Sequence, residues 1–476
     1  MGNAYKKLGK NIGLFTISSF GTKILSLILV PLYTNCLTTA EYGTADLLST
    51  IVQLLIPVFT LDIADAVIRY TLEKNTDNES ILDIAFKVIM CGATLLCAIL
   101  FGASWIFHQS FSFTYVWFLF LSFLFTSIYN SLTSFFRGID KVTDVVIAGM
   151  MSTFLNGVCN VIFLLKFKWG ITGYLIANLT GVLIPSLFLL IRSFLCRYIK
   201  SGGKSKFDLG LCRRMLAYCT PLIINGLSWW INNSLDRLFV SYMCGIDANG
   251  LLAVSYKIPS ILAMFQTIFN QAWTMSAVQE FDKEDKNSFF ATTYSLYGCG
   301  MAIVCSVILI LNIPLARFLY ANDFFQAWQY TGMLVIAHLF GALSICISGI
   351  FSAVKDSKTL ALSTLYGAII NTFLNYLLIK RIGVLGAVIA TLVANVFIWG
   401  FRMRKMRDYV SIKINYKRDM TAYIVLLLQC LLGMHNRHFY LAQLICIVVV
   451  LFLYRSESTM VIKVSISKMI QYLREK

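Results

Sequence analysis

The chain has 476 residues, 58% of them apolar and only 13% charged, and its mean hydropathy is +0.74. A soluble domain carries about 25% charged residues, so this composition excludes an ordinary soluble enzyme or binding module. The formal charge is +17, but the basic residues are spread over the intervals between apolar runs, a pattern of membrane orientation rather than nucleic-acid binding.

The apolar runs predict an all-α polytopic membrane protein of about fourteen spans, each near the ~20 residues that a bilayer core requires. The basic start, MGNAYKKLGKN, flows into a first span near Ile12–Tyr33 without a small-residue cleavage site, so it reads as a retained span and not a signal peptide. Spans two to six follow near Ala45–Tyr70, Ile81–Phe107, Phe113–Phe136, Val142–Leu165 and Ile171–Leu195. A basic connector occupies Arg197–Arg214. Spans seven to twelve are expected near Cys219–Met243, Asn249–Met275, Phe289–Ile313, Trp328–Ala353, Leu360–Ile379 and Val384–Phe401. After a second basic connector, Arg402–Arg418, two more spans lie around Tyr423–Met434 and Phe439–Tyr454. With the N-terminus inside, most of the 40 basic residues fall on the cytoplasmic side, as the positive-inside rule requires; Lys166, Lys168, Lys380 and Arg381 are exceptions. The tail places Ile462, Ile466, Met469, Ile470 and Leu473 on one helical face and reads as an interfacial cytoplasmic helix.

Two halves of the chain resemble each other. FLNGVCNVIFLLKFKWGITGYLIANL, Phe154–Leu179, parallels IINTFLNYLLIKRIGVLGAVIATL, Ile369–Leu392. Asn156 and Asn160 match Asn371 and Asn375, and Gly170 and Gly173 match Gly383 and Gly386. AEYGTA at Ala40–Ala45 answers ANGLLA at Ala248–Ala253 more weakly. The expected organisation is an N-lobe over 1–200, a C-lobe over 201–407, two extra helices over 408–456 and an amphipathic tail over 457–476. Six spans per lobe is an even number, so the repeats run parallel, as pseudo-symmetric bundles around a central cavity.

The functional candidates are polar residues inside apolar spans. In CTPLIINGLSWWINNSLDRLFV, Cys219–Val240, the residues Asn225, Trp229, Asn232 or Asn233, and Asp236 recur at helical steps on one face, with Arg237 beside them. A charge at the bilayer centre costs about 2.5–3.5 kcal/mol even on the lenient insertion scale, so such a face is expected to meet water or protein. Lys23, Arg237 and Lys257 are candidate cations for a phosphate or pyrophosphate, which Arg binds bidentately. Asn270 lies in the eighth span, and Trp229, Trp230 and Trp273 are able to stack on sugar rings or simply pack. Asp62, Asp65 and Arg69 form a ladder at the end of the second span, suited to ion coupling or gating. Pro31, Pro57, Pro221 and Pro259 lie in the first two spans of each half, where they bend helices. The 13 cysteines contain no CxxC pair and the four histidines no HExxH, so neither a metal site nor a cofactor is expected.

Three stretches carry a family resemblance: VPLYTNCLTTAEYGTADL at Val30–Leu47, DIADAVIRYTLEKN at Asp62–Asn75, and SYKIPSILAMFQTIFNQAWTMSAVQEFD at Ser255–Asp282. They resemble bacterial oligosaccharide-lipid flippases of the O-antigen type, the polysaccharide-transport branch of the multidrug/oligosaccharidyl-lipid/polysaccharide exporter superfamily. The resemblance implies a non-enzymatic transporter of the bacterial cytoplasmic membrane, with both termini cytoplasmic. Its cargo would be an undecaprenyl-pyrophosphate-linked repeat unit for O-antigen, capsule or exopolysaccharide, moved from inner to outer leaflet by alternating access. Its partners would be that polyprenyl-pyrophosphate-linked glycan, membrane lipids, and polysaccharide polymerase and chain-length proteins. By the same analogy Lys23, Arg237 and Lys257 line the cavity. Two other readings stay open. A cation-coupled multidrug exporter would use Asp62, Asp65 and Asp236, whereas a membrane glycan polymerase or ligase would need a larger external loop than Pro314–Gln326 offers.

Overall fold

The computed structural model describes residues 21–73, 77–106, 113–195, 208–279, 288–410, 414–435, 440–457 and 459. Helices, turns and short loops account for all of them, with no strand among the described residues. Nine of these helices are long and apolar enough to cross a membrane, or ten if the bent pair Ile246–Ser255 and Ser260–Asn270 is one span. They correspond to spans two to six and eight to twelve. The first expected span lies partly outside the described residues, the seventh and thirteenth are too polar to qualify, and the last has only 14 residues. The C-terminal helical face beyond residue 460 also lies outside the described residues.

The chain divides into two compact units, Met1–Ser241 with Gly245–Gly250, and Tyr242–Cys244 with Leu251–Lys476. In the first, residues 21–28 are helical, followed by α1 (Val30–Cys36), α2 (Thr39–Thr60), α3 (Ile63–Thr71), α4 (Asn78–Ile106), α5 (Phe113–Gly138), α6 (Val142–Val161), α7 (Gly170–Leu195) and α8 (Leu209–Cys244). A reciprocal cap starts α2: Thr38 Oγ1 accepts from the Glu41 amide at 3.2 Å, and the Thr38 amide donates to Glu41 Oε2 at 2.9 Å. The helix ends where Leu61 and Asp62 both adopt left-handed backbone, with φ of 54° and 51°. The second expected span is therefore two helices, broken four residues after Pro57. Ile63, Val67, Ile81, Ile89, Leu132 and Phe136 form the apolar centre joining α3, α4 and α5. A second cluster, Ala45, Leu48, Val52, Phe118, Leu119 and Leu175, joins α2, α5 and α7.

α8 as far as Ser241 falls in the first unit, where it packs along α2 and α3. Trp230 Nε1 donates to the Thr50 carbonyl at 2.9 Å, and the Cys219 thiol donates to the Asp62 carbonyl at 3.6 Å. The first residues of α9 (Ile246–Ser255) belong here too. A Cβ on Gly43 would stand 2.1 Å from the Ile246 carbonyl oxygen, and one on Gly250 only 2.0 Å from that of Thr39. The glycines of the two weakly matching motifs, AEYGTA and ANGLLA, thus meet each other. Asn249 Nδ2 fastens the contact by donating to the Gly43 carbonyl at 2.9 Å.

In the second unit the chain turns 50° between α9 and α10 (Ser260–Gln279), around Pro259. Then come α11 (Phe289–Ile310), α12 (Asn312–Leu319), a 3₁₀ turn, α13 (Trp328–Ala353), α14 (Ser357–Ile382), α15 (Val384–Met406), α16 (Tyr416–His435) and α17 (Tyr440–Leu453). α13 is the central helix, with Leu334, Val335, Leu339, Leu343, Ile347 and Phe351 all buried. Trp273 reaches it and donates its indole N–H to the Cys346 carbonyl at 2.6 Å, in space that Gly349 leaves open. α16 and α17 are tied to α11 through polar groups: Arg418 pairs with Asp419 at 2.9 Å and with Glu457, which also accepts from Ser295 Oγ.

The stronger repeat is visible in each unit by itself. Asn160 Nδ2 donates to Asn156 Oδ1 at 3.1 Å, and Asn375 Nδ2 to Asn371 Oδ1 at 2.8 Å. Gly170 and Gly383 open the following helices with φ of 55° and 61°, a region in which glycine has no steric penalty.

Candidate functional site

α8 begins at an Asp208 cap, whose Oδ1 accepts from the Leu211 amide at 2.9 Å. It runs for 36 residues, and its polar groups turn against α2. Tyr42, Asp46 and Thr50 recur at four-residue steps on α2, which aligns them on one face. Arg237 lies against that face: its Nη1 donates to Thr50 Oγ1 at 3.2 Å, and its Nε is 3.4 Å from Asp46 Oδ2. This pair is at ion-pair distance but not aligned as a hydrogen bond. We read it as an electrostatic contact. Tyr42 is close enough to feel both charges, and its ring packs with Tyr174, which Tyr33 meets edge-on at 4.9 Å. Asp236, only 3% exposed, accepts from the Arg237 backbone amide at 2.9 Å.

The adjacent tryptophans separate. Trp230 is 8% exposed and bonded to α2, whereas Trp229 is 46% exposed. Asn233 is exposed too, and donates to the Trp229 carbonyl at 2.7 Å on its own helix. The Asn225 side chain lies outside the described residues. Lys23, in the helical stretch 21–28, is half-buried. In the second unit, Lys257 occupies the bend between α9 and α10, and Asn270 lies on α10; both are half-buried.

The expected Asp62–Asp65–Arg69 ladder is not one stripe. Asp62 sits in the left-handed break before α3, Asp65 is in the first turn, with its amide donating to the Asp62 carbonyl at 3.0 Å, and Arg69 makes an exposed pair with Glu73 at 3.2 Å. The two aspartates, but not Arg69, line a cavity of about 240 Å³ between α2, α3 and α5. Its wall includes Thr60, Asn130, Ser131 and Arg137. Asp62 also approaches α8, where a Cβ at Gly226 would stand 2.9 Å from its Oδ2.

Sequence reasoning missed several of these groups. Tyr42, Asp46 and Thr50 carried a legible signal, a polar residue every fourth position within an apolar span. So did Ser127, Asn130, Ser131 and Ser134, whose spacing puts them on one face of α5. Arg402 carried none: it belongs to a basic connector in sequence, yet is buried, with Nε donating to Ser363 Oγ at 2.8 Å and Nη2 to Thr364 Oγ1 at 3.0 Å.

The chain matches the family model described as polysaccharide biosynthesis protein over residues 8–274 and the MatE model over residues 221–377. No curated protein matches it. Among solved structures it is similar to the lipid II flippase MurJ in an inward closed conformation, with 16% identity, a TM-score of 0.69, and coverage of 95% of this chain and 99% of that one. A MOP superfamily transporter from Pyrococcus furiosus aligns at 14% identity and a TM-score of 0.60, over 84% of this chain and 95% of that one. An outward-facing multidrug resistance MATE family transporter gives the same identity and TM-score, over 84% and 96%. At these identities the likeness is one of fold.

Proposed function

The chain belongs to the polysaccharide biosynthesis protein family, and from that premise we propose that it is a flippase for a polyprenyl-pyrophosphate-linked oligosaccharide. The cargo in this reading is a repeat unit for O-antigen, capsule or exopolysaccharide, carried from the inner to the outer leaflet of a bacterial cytoplasmic membrane. The observation that carries the reading is Arg237: a guanidinium held inside a membrane-spanning fold, against Asp46 and Thr50. A partly buried arginine of this kind offers a planar fork to a pyrophosphate, which would compete with the Asp46 carboxylate for it. Release of Asp46 as the anion arrives makes binding an exchange of partners, so Arg237 is never left as an uncompensated charge.

Lys23 and Lys257 supply further positive charge in this scheme, and the exposed Trp229 and Asn233, with Asn225 and Asn270, offer stacking and hydrogen bonds to sugars. Asp236 orients Arg237 through the backbone. The termini are cytoplasmic, and a polysaccharide polymerase and chain-length protein would consume the product outside. The likeness to MurJ, a lipid II flippase by name, supports a lipid-linked cargo.

The test is the leaflet distribution of the lipid-linked repeat in the native host, read by its sensitivity to an externally added glycan-cleaving enzyme. Deletion is expected to leave the repeat protected, and the wild-type gene to restore cleavage. Arg237→Ala and Lys257→Ala should each restore it poorly at normal expression. Restoration equal to wild type by both would remove these cations from the site. The second reading, a cation-coupled exporter of small molecules, is favoured by the MatE match and by the acidic cavity at Asp62 and Asp65. Unchanged leaflet distribution with active efflux of a cationic dye would select it.

A further inference from the structure

The polar groups that tie α11, α16 and α17 together border a cavity of about 340 Å³ within the second unit. Ser288 and Thr292 at the start of α11, Asn415 and Arg418 at the start of α16, and Ser456 and Glu457 after α17 line it. Its depth follows from the sequence: α11 is apolar enough to span a membrane from Phe289 onward, and the apolar run of α17 ends at Leu453. The cavity therefore sits where apolar helix gives way to polar chain, the level of lipid headgroups.

The hydrogen bonds leave one group unmet. Arg418 is nearly spent: Nε donates to Asp419 Oδ1 at 3.0 Å, Nη2 to the same oxygen at 2.9 Å and to Ser295 Oγ at 3.0 Å, and Nη1 to Glu457 Oε1. An arginine with most of its N–H groups committed has little to offer an anion. Ser295 gives its proton to the same Glu457 oxygen at 2.6 Å. The other oxygen, Oε2, is buried and has no hydrogen-bond partner among the described residues. Burial works against the charge of this carboxyl, but Ser295, its own backbone amide and Arg418 hold it below the usual carboxylate range, so it stays ionised. Arg418, Asp419 and Glu457 carry one net negative charge between them, and no side chain of the three is more than 15% exposed. A buried charged acceptor left unpaired is costly, and what it lacks is a cationic N–H donor.

We infer that this cavity binds the headgroup of phosphatidylethanolamine, with the primary ammonium donating to Glu457 Oε2. An ammonium supplies the missing donor and balances the charge in one group. The exposed Lys417 and Arg455 adjoin Arg418 and Ser456 in the chain and provide cations for the phosphate. Asn415 Oδ1 accepts from the Arg418 amide at 3.2 Å, which leaves the Asn415 NH2 as a further donor. A membrane lipid, rather than a free amine, is indicated by α17. Val448 and Phe452, 62% and 64% exposed, and Ser456 recur at four-residue steps, so an apolar outer face leads to the cavity wall. The volume falls among the ~300–1,000 Å³ of pockets that enclose organic ligands. The same carboxylate discriminates between headgroups: choline has no N–H to donate, and a glycerol headgroup brings negative charge without an ammonium. A lipid bound here would fasten α16 and α17 to α11.

The experiment is native mass spectrometry of the purified full chain in detergent, titrated with phosphatidylethanolamine, phosphatidylcholine or phosphatidylglycerol of identical acyl chains. One phosphatidylethanolamine per chain is expected to bind saturably, about tenfold more tightly than phosphatidylcholine, the scale of a hydrogen bond to a charged group. It should also raise the melting temperature, as any ligand of the folded state does. Glu457→Gln should weaken binding about tenfold for the same reason. Ser456→Trp, which fills the cavity from its wall without touching the Arg418 pairs, should abolish it, and carries the test if Glu457→Gln does not give a monodisperse protein. Asp83→Asn, which removes a surface partner of Lys87, should leave it unchanged. Equal retention of phosphatidylcholine overturns the proposal, since the lipid then needs no N–H. A preference for phosphatidylglycerol overturns it too, by making the rim an anion site. Wild-type affinity in both wall variants would put the lipid elsewhere and has the same effect. Binding of free phosphoethanolamine where no lipid is retained overturns it in favour of a soluble ligand. None of these outcomes depends on the identity of the transported cargo.

Discussion

The Arg237–Asp46 contact shows what a single pair contributes inside a low-dielectric fold. Both side chains are less than one-fifth exposed, so removing one partner leaves the other charged, with little water to compensate it. Asp46→Ala is expected to destabilise the protein by about 3–5 kcal/mol, the usual scale for breaking a buried pair. The paired change Asp46→Ala with Arg237→Met should recover much of that loss, because the stranded charge goes with its partner. A double-mutant cycle by thermal unfolding in detergent measures the coupling; additive losses would mean that the two charges do not interact. Asp356 is a residue of another kind, a half-buried cap outside the spans. Its carboxyl is held below the usual carboxylate range by hydrogen bonding, first from the Thr359 side chain and also from Tyr409. Because the folded pKa is the lower one, its stabilisation is complete above the unfolded value and disappears as pH falls through the folded one. Asp356→Asn should flatten that acid limb in a stability-against-pH profile.

At the scale of elements, the breaks matter more than the helices. Three of the four prolines in the first two spans of each half adjoin one: Pro31 stands in the first turn of α1, Pro57 just before the Leu61–Asp62 break, and Pro259 in the 50° turn. Pro221, by contrast, stands within the continuous α8. A proline frees a carbonyl and clashes with the preceding turn, but whether the helix stops depends on what else receives those groups. The Gly43–Gly250 crossing is the tightest of these joints, with backbone facing backbone. Gly43→Ala or Gly250→Ala forces α2 and α9 apart, since no side chain can yield there. Both should lower the melting temperature strongly, whereas Gly300→Ala on α11, with nothing within 4 Å of the new methyl, should not. Equal stability of all three variants would contradict the close contact.

For the whole molecule, the expected orientation is testable at its turns. Single cysteines placed at Asp140 and Lys355, in a background cleared of native thiols, should resist a membrane-impermeant maleimide in intact cells. One at Asn322 should react, because a cytoplasmic N-terminus would put that turn on the external side. The reverse pattern would invert the topology. The class of the fold was legible in the chain because hydrophobic length is a local property: about twenty apolar residues specify a span whatever lies beside them. The duplicated asparagines and glycines were legible for a similar reason, since each acts within one helical hairpin, Asn160 on Asn156 and Asn375 on Asn371. Partnership was not legible. The sequence pointed to Trp229, Asn233 and a ladder ending in Arg69, while the structure buries Trp230, pairs Arg237 with Asp46, and gathers Asp62 and Asp65 with Ser131 from α5. Helical periodicity tells which residues share a face, but not which other face will meet it. That choice is made by packing, where two left-handed residues after Thr60 and a missing side chain at Gly226 decide where a carboxylate comes to rest.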